Sequence, residues 1–274
     1  MTFGKLIGRE HLPNRLQRKL DKAAYSVSSL SLFFAVDMDM RGAGLDSGNF
    51  WFYDNADVDG LYKQGLTSRA LEVETPGAMF LTTTTLKDPS KMHSGHHTCE
   101  AFTFVGYEGF KKWADGAYGE RSPDYEAMKE ELSWRMFQGL EKYVPGISKN
   151  VVFWSLGTPL TNEHFINATR GNLYGIEKSR SQVGPGAFSM KTTFDGLWMC
   201  GASTLSHGVS GATASGLAVS RKILNCRTSD MFKMNGPELQ IFPSEDISQW
   251  PQDLQKRIAR GQRVDKDPKG FQNP

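Results

Sequence analysis

Between Gly201 and Gly216 the chain reads Gly-Ala-Ser-Thr-Leu-Ser-His-Gly-Val-Ser-Gly-Ala-Thr-Ala-Ser-Gly, a run of small residues opening into a helical pattern. Upstream, Asp195 to Gly201 reads as a turn and a short buried strand that ends in glycine. Downstream, Ala214, Leu217, Ala218, Arg221 and Leu224 recur at helical spacing within residues 212–224. A helix start presents backbone N–H groups without intrahelical partners, and glycine lets a ligand approach them closely. Strand, loop and helix start together can hold a polar or anionic group. Ordinary strand-to-helix packing accounts for the same residues, so the local pattern leaves both readings open.

Other chemistry-bearing residues are weaker signals. His207 is either a proton donor or a loop histidine packed beside a ligand. Ser210 is no hydrolase nucleophile, because Gly208-Val209-Ser210-Gly211 lacks the Gly-x-Ser-x-Gly frame. His93, His96, His97 and Cys99 cluster in sequence, but neighbouring strand residues face opposite ways and the spacing matches no standard zinc pattern. A turn entering a strand explains them better, and no metal is expected.

The elements that must position these residues are legible as hydrophobic patterns. Residues 29–37, 49–54, 78–85, 97–105 and 151–156 are expected strands, rich in β-branched and aromatic side chains. The first four lie close together, which favours a mixed, largely antiparallel sheet in an α+β fold. Ser122 and Pro123 suit the cap and first position of a helix. Tyr125, Met128, Leu132, Met136, Leu140 and Tyr143 then repeat at three- and four-residue steps until Pro145-Gly146. Shorter helices are expected over 16–25, 109–115 and 251–259. The last lies in a polar tail that reads as a solvated extension.

Composition bounds the function. The 274 residues carry 39% hydrophobic side chains, enough for a real core. Lysine and arginine number 32 against 30 acidic residues, so the net charge of +2 gives no argument for a nucleic-acid partner. Three scattered cysteines argue against a disulfide framework and for a reducing compartment. The first residues lack a signal-peptide stretch, and no run of 18 apolar residues could span a bilayer. Seventeen phenylalanines suggest a large apolar surface or pocket.

Leu197-Trp198-Met199-Cys200-Gly201, then His207-Gly208-Val209-Ser210-Gly211-Ala212, then Ser215-Gly216 together resemble the C-terminal flavin-binding signature of phytoene desaturase-like flavoproteins. That family includes carotenoid desaturases, carotenoid isomerases and retinol saturases. Upstream order agrees: Gly95-His96-His97-Thr98, the long helix, Gly157-Thr158-Pro159-Leu160-Thr161, and Arg170-Gly171-Asn172-Leu173-Tyr174-Gly175. The resemblance runs from about the first residues to Leu224.

Two departures accompany it. The family's dinucleotide-binding βαβ unit, which holds the ADP part of FAD, has no match in these residues. The nearest candidate, Gly42-Ala43-Gly44-Leu45-Asp46-Ser47, leads into Asn49–Tyr53 rather than a helix and reads as a hairpin turn. Ala202 also stands where many relatives carry an acidic residue.

The resemblance implies an oxidoreductase or isomerase acting on carotenoid- or retinoid-like polyenes with FAD, of which this chain matches the C-terminal half. Residues 1–24 would be a residual piece of the FAD domain or a linker, and 25–168 the substrate-binding domain. Residues 169–226 would carry the final strand, loop and helix of an incomplete Rossmann-like FAD domain, and 227–274 the polar tail. Gly201, Ala202, Gly208, Val209, Ser210, Gly211 and Ala212 would contact the cofactor, with His207 as the catalytic candidate. Trp51, Tyr53, Phe102, Phe104, Trp154, Thr158 and Tyr174 would contact the substrate, although strand geometry turns about half of any such aromatic set into the core.

A second chain would then supply the N-terminal FAD-binding half, and an insoluble substrate is compatible with a cytoplasmic or a peripheral membrane location. The competing expectation is a non-catalytic apolar-ligand-binding or assembly protein derived from the family. A third is a flavoprotein that completes its site across a homodimer.

Overall fold

The computed structural model describes residues 2–67, 71–233, 238, 240–243 and 246–261. Helix α1 (Asn14–Asp21) precedes strands β1 (Ser28–Val36) and β2 (Asn49–Tyr53). Helix α2 (Val58–Gly65), strand β3 (Ala78–Thr83), the single turn α3 (Thr84–Lys87) and strand β4 (His97–Val105) follow. The long helix α4 (Pro123–Glu141) leads to β5 (Val151–Gly157), α5 (Pro159–Ile166), α6 (Gly208–Leu224), α7 (Thr228–Met231) and α8 (Gln252–Gly261). Two compact units divide the chain: residues 1–28 with 159–238, and residues 29–158 with 239–274.

The second unit is built on a five-stranded sheet in the order β2-β3-β4-β1-β5. The β2–β3, β3–β4 and β1–β5 pairings are antiparallel, in keeping with the α+β expectation. Alternation along the strands sends Leu30, Leu32, Phe34, Met79, Leu81, Ala101, Val105 and Leu156 to one buried face. Helix α4 covers that face with Leu132, Met136, Phe137 and Leu140, all buried. Phe34 and Phe137 meet edge to face with ring centroids 5.3 Å apart. Gly139 brings the helix close to β3: a Cβ there would stand 2.6 Å from the Met79 methyl.

Several local expectations change in three dimensions. Ser122 occupies the cap position of α4, but its side chain caps no backbone group and instead bonds the Asp124 carboxylate. That hydroxyl, with Trp113 Nε1 at 2.8 Å, holds the Asp124 carboxyl below the usual range. Beyond α4, Gly146 takes φ +88°, and Glu141 accepts from the Ser148 hydroxyl and from the N–H groups of Gly146 and Ser148. The Gly42–Ser47 segment is a turn, with Ala43 and Gly44 bonded back to Asp39 and Arg41, but it makes no hairpin. Strands β1 and β2 are not sheet neighbours, because β3 and β4 pair between them. Thr84 and Thr85 leave β3 for the helical turn α3, and residues 108–113 form a 3-10 helix. In the polar tail α8 buries Ile258 and packs against residues 89–91, so this part of the tail is anchored.

The first unit gathers Phe3, Leu12, Ile176 and Phe188 into a small core, flanked by Leu16, Leu20, Tyr25, Phe194 and Met199. Leu197–Gly201 is not a strand here: one isolated bridge, Lys191 to Trp198, is its only strand-like pairing among the described residues. A strand exists only where a neighbour pairs with its edge, and no longer ladder to this segment forms among the described residues. The expected strand-loop-helix is therefore a half-buried loop that runs into α6.

Phe34→Ala should destabilise the sheet unit by about 3–5 kcal/mol, because it empties the contact between β1 and α4. Urea unfolding followed by circular dichroism measures this.

Candidate functional site

The loop before α6 is held by one serine. Gly201 N–H donates to Ser215 Oγ at 2.6 Å, and the Ser215 hydroxyl donates in turn to the Ala212 carbonyl at 2.7 Å. Ser215 is fully buried, one helical turn from Val219, and together they form the inward stripe of α6. Thr204 closes the loop from the other side, its N–H and hydroxyl both bonded to the Gly201 carbonyl. Gly211 lets the helix start rest on Ser206, where a Cβ would come within 2.6 Å of the backbone. Small residues are needed here for packing inside the protein.

Gly201 and Gly208 behave differently. Both have positive φ, +95° and +76°, and nothing lies within 4 Å of where their side chains would stand. His207 occupies the cap position of α6 with an extended backbone, and no side chain caps the first turn. Val209, 87% exposed, and Ser210 face outward beside these amides. An uncapped helix start with open space before it suits the edge of a ring that carries carbonyl oxygens or negative charge. The residues present thus fit the group that the sequence resemblance implies.

His207 lies against Tyr174, ring centroids 5.1 Å apart. Tyr174 is set by its own turn: its N–H donates to Ser26 Oγ, and Gly175 N–H donates to Asn172 Oδ1. Gly171 and Gly175, both at positive φ, press on Pro159 and Ser203 so closely that neither position admits a side chain. This motif therefore positions Tyr174. In the same unit a cavity of about 520 Å³ is lined by Phe3, Tyr25, Ile176, Met199 and Ser203, with Lys5 and Arg9 also at its wall. Met199 and Ser203 flank Gly201, a link to the loop that only the tertiary structure reveals.

The sheet unit carries the other candidates. Trp51 pairs with Phe80, and Phe80 with Phe102, so these rings share the face opposite α4. Tyr53 and Phe104 lie on the same face by alternation, and Trp51 contacts Phe80, Phe102 and Phe104 with centroids 5.3–6.1 Å apart. Trp51, Phe33 and Phe153 on this face are 43%, 47% and 44% exposed, whereas Tyr62 leans on Phe104 and helps to bury it. Phe33 and Phe80 were not among the residues singled out from sequence. Strand pairing, which no single strand reveals, brings them in.

Trp154 pairs with Phe34 and meets Trp134 of α4, so it points to the core side. Thr158 is fully buried, its hydroxyl 2.7 Å from Tyr125 Oη.

The histidine cluster has a structural role. His93 and His96 bridge a tight turn, and His97 Nδ1 lies 2.8 Å from the Thr85 hydroxyl. Among the described residues no group of three or more His, Cys, Asp or Glu side chains is arranged to hold a metal. No described helix is long and apolar enough to cross a membrane.

No family model matches the chain. It is 26% identical over 218 residues to an all-trans-retinol 13,14-reductase of Danio rerio, covering 77% of this chain and 36% of that protein. It is 28% identical over 225 residues to a chloroplastic prolycopene isomerase of Arabidopsis thaliana, covering 81% and 34%. The all-trans-retinol 13,14-reductase of Homo sapiens is 23% identical over 215 residues, covering 76% and 35%. The chain is related in sequence to retinol 13,14-reductases and prolycopene isomerases. This bears out the family resemblance of the motifs. The chain spans about a third of the length of these relatives.

Burial holds the His97 imidazole below its usual value of 6.5; Asp39 opposes this and Arg41 adds to it. The unfolded chain then takes up a proton that the fold resists, so stability should fall as pH drops below 6.5 and level off once the folded imidazole also titrates. His97→Gln should flatten that slope, read as the urea midpoint against pH. Burial also pushes the Cys99 thiol up to about 12, against a weaker opposing bond from Thr83. Iodoacetamide at neutral pH should therefore label exposed Cys200 and spare Cys99 in the folded protein, as peptide mass mapping would show.

Proposed function

We propose that this chain supplies the polyene-binding sheet and the flavin-edge loop of an FAD-dependent oxidoreductase or isomerase acting on a carotenoid- or retinoid-like substrate. The observation that carries the reading is the Gly201–Gly216 segment, with an uncapped helix start and open space over Gly201 and Gly208, in a chain related to polyene reductases and isomerases. Bound FAD would supply hydride exchange with a carbon–carbon double bond.

The chain's own contributions follow from its geometry. Amides of Gly208 to Gly211 point along the helix start and favour negative charge at the ring edge by about 0.3–1 kcal/mol. Ser215 keeps the Gly201 turn fixed against the helix, so those amides need no rearrangement when a ligand arrives. His207 is the only titratable side chain between Gly201 and Gly216, and its imidazole is the candidate to hold or move a proton there. The aromatic face around Trp51 and Phe102 offers a conjugated chain a dry, flat surface in its own unit. The ADP part of FAD would be held by polypeptide outside these residues, in a second chain or in the rest of a longer one. Ala202 makes the acidic contact of many relatives unavailable from this position.

Co-expression with the FAD-binding half of a relative tests the reading. The purified complex should show the visible absorbance of flavin, and Gly208→Val, which both fills the open space before the helix and forces a branched side chain onto a φ of +76°, should lower flavin occupancy about tenfold. Val209→Ser, an outward change, should retain it. A folded complex without flavin would remove the cofactor assignment. If that complex still bound polyene, the non-catalytic apolar-ligand reading would replace it.

A further inference from the structure

Strand β2 ends the sheet on one side, and its sequence is unusual for an edge. Residues 49–53 read Asn-Phe-Trp-Phe-Tyr, with no charge, no proline and no shift in the pairing to β3. Edge strands normally carry such features, because a bare row of N–H and C=O groups is a template for another strand. The Asp54 N–H donates to the Gly77 carbonyl, so Asp54 directs its backbone groups toward β3. These groups alternate along a strand, which turns those of Phe50 and Phe52 inward and those of Asn49, Trp51 and Tyr53 outward. Among the described residues no hydrogen bond reaches the outward groups. The side chains are also incompletely covered. Phe50 stacks on Phe52 on the α4 side and Trp51 on Tyr53 on the opposite face, and none of the four is fully buried.

We propose that a second copy of this chain pairs with this edge, antiparallel and about a two-fold axis through Trp51, joining two five-stranded sheets into one. The strand is close to palindromic about that residue. Placed antiparallel, Trp51 stands opposite its own counterpart, Phe50 opposite Phe52 of the second copy, and Asn49 opposite Tyr53 of the second copy. The three residues with outward backbone groups thus face one another, and each pair exchanges two hydrogen bonds, about six in all. A shift by one residue would set outward groups against inward ones, so backbone and side chains select the same register. Directly opposite residues share a face, so the second copy covers the exposed flank of Trp51 and continues the aromatic surface. The strand ends agree in charge. Lys87 donates to Asn49 Oδ1 at one end and Asp54 follows Tyr53 at the other. Antiparallel pairing brings Lys87 of each copy to the Asp54 end of its mate. An isologous contact requires self-complementarity of this kind, which a strand from an unrelated protein would not need.

A five-residue edge is smaller than the ~1,600 Å² of a standard interface, so the dimer should be weak, half-formed on the order of 50 μM. In sedimentation velocity the weight-average mass of the full chain should rise from 30.5 kDa toward twice that value as concentration increases through this range. Hydrogen exchange at the Trp51 and Tyr53 amides should slow over the same range. Asn49→Pro removes an outward N–H at the first position of β2, where proline is tolerated, and should weaken association about tenfold without changing the circular dichroism spectrum. Trp51→Lys and Trp51→Glu should each stay monomeric, because like charges then stand opposite across the axis, whereas an equimolar mixture of the two should associate. An unfolded variant has no edge to pair, so recovery in the mixture separates loss of contact from loss of fold. A mass that stays at 30.5 kDa throughout overturns the proposal. So does a dimer that Asn49→Pro and Trp51→Lys leave intact, since its contact then lies elsewhere, and a mixture that stays monomeric removes the axis through Trp51. If the chain is monomeric and the outward amides are protected only in complex with an FAD-binding half, the covering strand belongs to that partner and the second-copy proposal fails. None of these outcomes bears on the flavin reading.

Discussion

Strand alternation is the constraint on which the sheet unit depends. Each of the paired strands must turn one set of side chains toward α4 and the other away, and the sequence fills both sets with large apolar residues. The α4 side is a conventional core, in which fully burying a leucine or phenylalanine contributes roughly 1.5–3 kcal/mol. The other side keeps Phe33, Trp51 and Phe153 substantially exposed. An exposed aromatic surface of that kind is the usual mark of a ligand or interaction surface. A one-residue slip of any strand would exchange the two sets, so the register that builds the core also assembles the aromatic face.

In the other unit the governing contact is smaller. The Ser215 hydroxyl joins the Gly201 turn to the first turn of α6, using one buried side chain as both acceptor and donor. Glycines around it serve two separate purposes. Gly171, Gly175 and Gly211 are glycine because protein atoms occupy the space a side chain would need, whereas Gly201 and Gly208 have open space there. Only the second kind marks a place where another molecule could approach the backbone. Gly216, inside α6, has open space as well, so the distinction removes only Gly211 from the motif's candidates.

Kinship with retinol reductases and prolycopene isomerases joins these features in one functional proposal. Those relatives are named for work on polyenes, which are long, flat and apolar. The aromatic sheet face suits such a body. The loop before α6 suits the edge of a charged or carbonyl-bearing ring. Each unit thus carries a part of the chemistry that its own residues can be tested for.

The amino-acid order alone determined the strands and the long helix, because hydrophobic periodicity and the Ser-Pro and Pro-Gly boundaries are local signals. It determined that a helix follows the small-residue loop, but not where that helix starts, which is Gly208 rather than the expected Ala212, and the motifs around them carried the family. Tertiary structure decided the matters that depend on partners distant in sequence. Pairing of β3 and β4 between β1 and β2 turned an expected hairpin into a plain turn, and the lack of a longer ladder turned Leu197–Gly201 from a strand into a loop. Pairing also sent Trp154 to the core side and added Phe33, Phe80 and Phe153 to the face of Trp51. It left the Thr82 hydroxyl buried and unpaired, which no reading of threonine in a β-rich run would reveal. A strand's sequence states which residues alternate, but which face is covered is settled only by what packs against it.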